Sequence, residues 1–328
     1  MQENPSLEQD IADPVLSKAG LPLSRTFYPY GFPLELETNA EDVLQAAEEG
    51  WGAFLPAFDA APVRLLLGVI EGEPEALPLR SAVRARGHLM SIVANARNFA
   101  VCDFEQGFAF GWVTPEVAAD HSLLRYRFLI AAGTTLIEQR SLASLHGALV
   151  ARNGLGVVLC GDSLAGKSTL AYACARAGWT FISDDGTFLV RSRTDRYAVG
   201  DSHTFRFRDD APSLFPELAE FMPVIRPNGK IGIEVFTREL AIATAAGCNV
   251  EHLIFLNRHH AGAPRLRRCG KERAREAWEA HAIFGGEGTR TAQQQCYLRL
   301  LEAGLWEMDY SDLEGAVARL EHLVARGC

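Results

Sequence analysis

The sequence predicts an α/β protein in which a nucleotide-binding half follows a smaller α+β half. Three adjoining features carry this prediction. Residues 156–160 form a short apolar run that is typical of a buried strand. A glycine-rich stretch, Gly161–Thr169, follows directly and matches the pattern G-x-x-x-x-G-K-S. Leu170–Ala177 is then rich in helix formers and ends before Gly178, as helices commonly do.

The glycine-rich stretch, which we call the glycine loop, is predicted to bind the phosphates of a nucleotide. Its backbone N–H groups can point inward at phosphate oxygens, and the start of the following helix adds partial positive charge. Lys167 can reach the β- and γ-phosphates, and the Ser168 hydroxyl is suited to Mg²⁺. A strand-to-helix turn that binds nothing is the alternative interpretation. The loop consists of Gly161, Asp162, Ser163, Leu164, Ala165, Gly166, Lys167, Ser168 and Thr169.

Length and charge limit the class of protein. The 328 residues predict two domains, at 26–138 and 139–328, after a flexible leader at 1–25. The chain has 32 basic and 41 acidic residues, for a net charge of −9, which argues against a nucleic-acid partner. No apolar stretch is long enough to span a bilayer, and the polar start is unlike a signal sequence. We therefore expect a cytoplasmic protein without a membrane partner.

The seven cysteines are scattered, odd in number and free of a C-x-x-C pair. This pattern predicts reduced thiols and no zinc site.

The first half is predicted to contain both strands and helices. Leu34–Thr38 alternates apolar and polar residues like a half-buried strand, and Arg64–Ile70 is a second strand. Asn39 is predicted to cap a helix over Asp42–Gly50, whose first turn is acidic. The apolar stretch Leu123–Gln139 is predicted to form one helix that joins the two halves.

A hairpin is predicted to lead into the glycine loop. Ser144–Val150 has the composition of a strand, and Asn153-Gly154 is a strong signal for a two-residue turn. The resulting antiparallel pair would make the sheet mixed and would bring His146 near the loop. A histidine that only packs in the core is the alternative for that residue.

Two adjacent carboxylates are predicted to lie beside the glycine loop. Trp179–Ile182 is the next strand, and Asp184 and Asp185 follow its end. The carboxyl ends of strands are where open α/β sheets bind their ligands. One carboxylate could hold Mg²⁺ and the other could deprotonate an attacking hydroxyl. An ordinary Asp-Asp-Gly turn is the alternative.

Four segments in order resemble the catalytic core of the HPr kinase/phosphorylase family. The resemblance spans residues 140–200 and is carried by the segments Ser144–Gly147, Gly154–Val157, Gly161–Ser168 and Ser183–Asp185. That family transfers phosphate to a serine of a small carrier protein, and its fold is similar to that of phosphoenolpyruvate carboxykinase.

The resemblance implies a role for each matching residue. Lys167 and the loop amides would hold the phosphates of ATP, and Ser168 and Asp185 would bind Mg²⁺. Asp184 would act as the base toward the acceptor hydroxyl, and His146 would lie in the phosphate site.

The rest of the chain departs from that family. The downstream signature with which the family engages its carrier protein is not found, and the first half is unlike the family's regulatory domain. The chain is closer to HPr-kinase-related proteins, which include kinases of lasso-peptide precursors. We therefore expect a kinase that phosphorylates a serine or similar hydroxyl of a peptide, a protein or a small molecule.

Two other functions are considered. The first is a nucleotide-binding switch module without turnover. The second is a carboxykinase-like enzyme, which is disfavoured because the sequence shows no additional metal-ligand set. The phosphoryl donor, whether ATP, another nucleotide or pyrophosphate, is left open, and so is homo-oligomer formation.

Further residues of the second half could contact phosphates or substrate. Arg258 ends the predicted strand His252–Asn257 and is the best candidate for a second phosphate-binding cation. Arg206 and Arg208 share one face of a strand, where they could clamp phosphates or be solvated. Lys230 follows a predicted turn, and Phe284–Gly288 is a glycine-rich segment that could act as a lid.

Overall fold

The computed structural model describes residues 20–71, 76–78, 80–225, 229–259, 261–279 and 285–326. It is a mixed α/β structure with three sheets in this part of the chain. None of the helices found there is both long and apolar enough to cross a bilayer.

The first sheet has seven strands in the order β1-β2-β3-β7-β6-β5-β4. β2, β3 and β7 run parallel to one another, and the remaining pairs are antiparallel. Its strands are β1 Leu23–Phe27, β2 Leu34–Thr38, β3 Val63–Val69, β4 Ala82–Arg86, β5 Leu89–Val93, β6 Phe99–Asp103 and β7 Phe108–Val113.

The second and third sheets come from the rest of the chain. The second has nine strands: β8 Leu142–Arg152, β9 Leu155–Cys160, β10 Thr180–Ser183, β11 Gly186–Val190, β12 Tyr197–Gly200, β16 Ala243–Thr244, β17 Gly247–Arg258, β18 Arg265–Arg268 and β19 Gly304–Tyr310. The third has three: β13 Thr204–Phe207, β14 Val224–Ile225 and β15 Ile231–Phe236. β9, β17 and β19 are parallel, whereas β8 is antiparallel to β9.

The helices are α1 Glu41–Trp51, α2 Pro115–Ala119, α3 His121–Leu124, α4 Thr135–Ser141, α5 Lys167–Arg176, α6 Lys271–Glu279, α7 Glu287–Leu300 and α8 Leu313–Arg326. A π-helical segment, Arg125–Thr134, lies between α3 and α4.

Three hydrophobic clusters surround the sheets. The first packs α1 and the π-helical segment against the first sheet, and it also takes Leu142, Phe188, Val190 and Val199 from the second sheet. The second packs α5, α8 and the third sheet against one face of the second sheet. The third packs α6 and α7 against the opposite face. Because the first cluster contains residues of both halves, the domain boundary at residue 138 stays a prediction.

The hairpin and the mixed sheet that the sequence predicts are present. Asn153 and Gly154 both have positive φ, of 53° and 79°, as a tight turn between β8 and β9 requires. Leu34–Thr38 is a strand with alternating burial. These features depend on a few neighbouring residues, which explains why the sequence predicts them.

The helix predicted over Asp42–Gly50 is present as α1, but the cap predicted for it is wrong. α1 follows Ala40, and Asn39 does not cap it. The Asn39 amide instead accepts a hydrogen bond from Val69 N (2.7 Å) and donates one to Val69 O (2.9 Å). The stretch predicted as one helix over Leu123–Gln139 is helical throughout, and its middle part, Arg125–Thr134, is π-helical. Residues 227–228 of the predicted turn and Phe284 of the predicted lid lie outside the described residues.

Candidate active site

The glycine loop connects a buried strand to a helix, as the sequence predicts. β9 ends at Cys160, and α5 begins at Lys167, three residues earlier than expected. Gly166 precedes α5 with a φ of 90°, a left-handed conformation that favours glycine. The turn after the strand uses Gly161, with a φ of 148°. Asp162, Ser163 and Leu164 form the exposed crest of the loop.

The Lys167 side chain turns back into the glycine loop. Its Nζ donates hydrogen bonds to Gly161 O (2.9 Å) and Asp162 O (3.2 Å). Burial lowers the pKa of this ammonium from its ordinary value, and the carboxylate of Asp185 opposes that effect. The Lys167 ammonium can give up these two carbonyl oxygens and donate its hydrogen bonds to phosphate oxygens instead.

Two residues from distant parts of the chain lie beside the end of the loop. β17 and β19 run parallel, so their last residues, Arg258 and Tyr310, are register partners at the loop's edge of the sheet. The Tyr310 hydroxyl donates to Ala165 O (2.7 Å). A Cβ at Gly166 would collide with that hydroxyl and would lie 3.8 Å from Arg258 Cδ. The predicted cation Arg258 is therefore adjacent to the loop.

Replacing Gly166 with alanine is expected to weaken Mg-ATP binding by about tenfold or more, because the new methyl group would displace Tyr310 and strain the left-handed backbone. Titration calorimetry would measure this. Gly154→Ala is the matched control, since Gly154 also has positive φ but no atom lies within 4 Å of a Cβ there. Equal binding by both variants would contradict a role for the loop conformation.

The two predicted carboxylates occupy different environments. Asp184 is buried, 3% exposed, and its Oδ2 accepts a hydrogen bond from Arg206 N (2.8 Å). Burial raises the pKa of Asp184 to about 7, although the Arg206 guanidinium and backbone N–H oppose this. Asp185 has a side chain that is 63% exposed, and its Oδ1 lies 3.3 Å from His146 Nδ1.

The carboxylate segment also contacts the helix of the glycine loop. Ser168 Oγ lies 3.4 Å from Asp184 O, and Gly147 N donates to Asp185 O (2.9 Å). β10 and β11 pair with β8, and Gly186 lies opposite His146. The structure thus brings the glycine loop, His146, Asp184, Asp185 and Arg258 to one edge of the second sheet. Their roles stay predictions.

Arg206 lies among carboxylates. Its guanidinium is 3.6 Å from Asp201 and 3.7 Å from Glu234, in addition to the backbone contact with Asp184. Arg206 is therefore paired with acids of the protein, and its contact with phosphates stays a prediction. Arg208 is exposed beyond the end of β13.

The donor set at the edge fits a magnesium ion and a chain of phosphates. The Ser168 hydroxyl and the Asp185 carboxylate are oxygen ligands, which Mg²⁺ prefers, and Mg²⁺ commonly keeps waters and phosphate oxygens as its remaining ligands. The described residues contain no group of three or more His, Cys, Asp or Glu side chains arranged for a metal. Ligands from the nucleotide and from water would therefore have to complete the site.

Sequence reasoning did not single out Tyr310 or Glu138. Tyr310 reaches the loop through the parallel register of strands that are far apart in sequence, and no local pattern signals this. Glu138 lies in α4, where burial raises the pKa of its carboxyl to about 7. A glutamate within an apolar stretch was the only available signal.

Glu138→Gln is expected to stabilise the protein at pH 8 and to have little effect at pH 4. A folded-state pKa above the unfolded value means that stability falls as pH rises from about 4.5 to 7, where the folded state binds more protons. The gain at pH 8 should be about 1–3 kcal/mol. Urea unfolding of both proteins at the two pH values would measure it. A pH-independent difference would contradict the assignment.

Comparison with known proteins gives distant structural similarity and no match in sequence. No protein-family model and no curated protein matches the chain. Among solved structures, the HPr(Ser) kinase/phosphatase from Coxiella burnetii aligns with a TM-score of 0.30 and 14% identity, over 56% of this chain and 99% of that one. At so low a TM-score the similarity carries no argument about activity.

Proposed function

We propose that this protein is an ATP- and Mg²⁺-dependent kinase with an HPr-kinase-like core. It would transfer the γ-phosphate to a serine or similar hydroxyl of a peptide, a protein or a small molecule. The observation that carries the proposal is the placement of Asp184 and Asp185 against the glycine loop. At this edge of the second sheet, the buried carboxylate of Asp184 and the exposed carboxylate of Asp185 lie beside the loop that holds Lys167.

The residues divide the work of phosphoryl transfer. Lys167, the loop N–H groups and Arg258 bind phosphate oxygens and neutralise their charge. Ser168 and Asp185 hold Mg²⁺, which when bound neutralises charge on the phosphates. His146, beside Asp185, orients that carboxylate or contacts a phosphate.

Asp184 acts as the base. The acceptor oxygen attacks the γ-phosphorus, the bond to the bridging oxygen of ADP breaks, and the hydroxyl proton passes to Asp184. A carboxyl with a pKa of about 7 is half ionised near neutral pH, which suits a general base.

The test combines binding and transfer. Mg-ATP would be titrated into the wild-type protein, and ATP labelled at the γ-phosphate would then be incubated with the protein and a cytosolic extract. Binding followed by label on a peptide, protein or metabolite supports the kinase. Binding without transfer would favour the nucleotide-binding switch, and absence of binding would overturn both functions.

A further inference from the structure

One face of β8 passes from one hydrophobic core to another and is open between them. Leu142 is fully buried in the first cluster, and Ala148 is fully buried in the second. Between them on the same face, Ser144 is exposed and His146 is half-buried. This open strip leads directly to the candidate active site, because His146 contacts Asp185.

An aromatic side chain from the first half stands at the edge of the strip. The Tyr30 ring packs on Phe188 with 4.6 Å between centroids. Phe188 is the register partner of Ser144, so Tyr30 lies over the strand next to the strip. Phe54 contacts Tyr30 edge-on at 5.4 Å and His203 at 4.8 Å. The rings therefore form a row of contacts from the first half to His203, the residue before β13.

The backbone at Tyr30 is unusual for a bulky residue. Its φ of 54° and ψ of 21° are left-handed, a conformation that is unfavourable for a residue with a Cβ. The next residue, Gly31, has a φ of 88°, and a Cβ there would lie 2.7 Å from Ala57 Cβ. Gly31 O accepts hydrogen bonds from Ala57 N and Phe58 N at 3.0 and 3.1 Å, which hold the turn in place. Strain that surrounding contacts maintain is characteristic of functional sites.

The charges around the Tyr30 phenol are mainly negative. Burial contributes most to raising its pKa, and the carboxylates of Asp201, Glu138 and Asp184 raise it further. Arg206 opposes them. Burial raises the pKa of both Glu138 and Asp184 to about 7, so the carboxylates that an anionic group would meet are mainly Asp201, which is paired with Arg206, and Asp185, which lies beside His146.

We propose that the open strip along Ser144 and His146 is the acceptor site, that Tyr30 forms its wall, and that the acceptor has no negative charge next to its hydroxyl. This inference rests on the proposed function and adds a specificity-determining residue and a class of acceptor to it. Tyr30 contacts the acceptor and not the nucleotide, so its loss should affect acceptor affinity alone.

The test uses Tyr30→Asn, since asparagine tolerates the left-handed backbone while removing the ring. Tyr30→Phe keeps the ring as the conservative variant, and Tyr126→Ala, at a tyrosine that is 45% exposed, is the control. Each protein is incubated with γ-labelled ATP and a dilution series of cytosolic extract. Mg-ATP affinity is measured separately by calorimetry.

Tyr30→Asn is expected to need about tenfold more extract for half-maximal labelling, with unchanged Mg-ATP affinity, while Tyr30→Phe and Tyr126→Ala behave like wild type. Labelling by Tyr30→Asn that equals wild type would overturn the role of the ring. Mass spectrometry of the labelled product gives the charge test: a carboxylate or phosphate next to the modified hydroxyl would overturn the proposed acceptor class. Absence of labelling by wild type would instead defeat the proposed function itself.

Discussion

Asp184→Asn is expected to reduce phosphoryl transfer by about 10²–10⁴-fold, the usual contribution of a general base, while Mg-ATP still binds. The amide oxygen of asparagine can still accept the hydrogen bond from Arg206 N, so the loop geometry should survive. The amide cannot accept the hydroxyl proton. Transfer to the labelled acceptor and calorimetric Mg-ATP affinity would be measured on the same preparations.

Asp195→Asn is the matched control for this substitution. Asp195 pairs with Arg193 at the surface, away from the candidate active site. Its replacement by asparagine removes one carboxylate charge, as the replacement of Asp184 does. We expect wild-type transfer from it. A rate for Asp184→Asn within about threefold of wild type would exclude the general-base role, since that role contributes far more.

Lys167→Met is expected to weaken Mg-ATP binding by about 10–100-fold. Methionine keeps the apolar stem but removes the ammonium, and a hydrogen bond to a charged group contributes about 1.5–3 kcal/mol. The thermal stability of the variant should not fall below that of wild type. Burying the Lys167 ammonium costs desolvation free energy, and burying the methionine thioether does not. Calorimetry and thermal unfolding would test both statements.

Lys271→Met controls for the loss of a lysine charge. Lys271 is an exposed residue that pairs with Glu302 at 2.6 Å. Its replacement should leave Mg-ATP affinity unchanged. If Lys167→Met bound Mg-ATP as tightly as wild type, the glycine loop would not be the phosphate site.

The parts of the fold that the sequence predicts correctly depend on neighbouring residues. The hairpin at Asn153 and Gly154 follows from two residues that accept positive φ, and the alternation in Leu34–Thr38 follows from the two-residue period of a strand. The start of α5 was placed too late, because the glycine that ends the loop allows the helix to begin at the very next residue.

What the sequence does not reveal concerns residues whose partners lie elsewhere in the chain. Asn39 has the composition of a helix cap, but its amide satisfies the backbone of Val69 at the end of β3. Arg206 has the charge of a phosphate ligand, but three acids from separate segments surround it. Local pattern cannot reveal such partners, since contact across a fold depends on how its elements pack.

The sequence by itself determined the order of β9, the glycine loop and α5, the adjacent carboxylates, and the antiparallel pairing of β8 with β9. All of these are encoded within short segments whose backbone preferences are local. Only the tertiary structure decided that Asp184 is buried, that Tyr310 supports the loop and that Tyr30 borders the open strip. Those relations depend on strand register and on packing between distant segments. The free energy that stabilises them comes from burial and from contacts that form only in the folded chain.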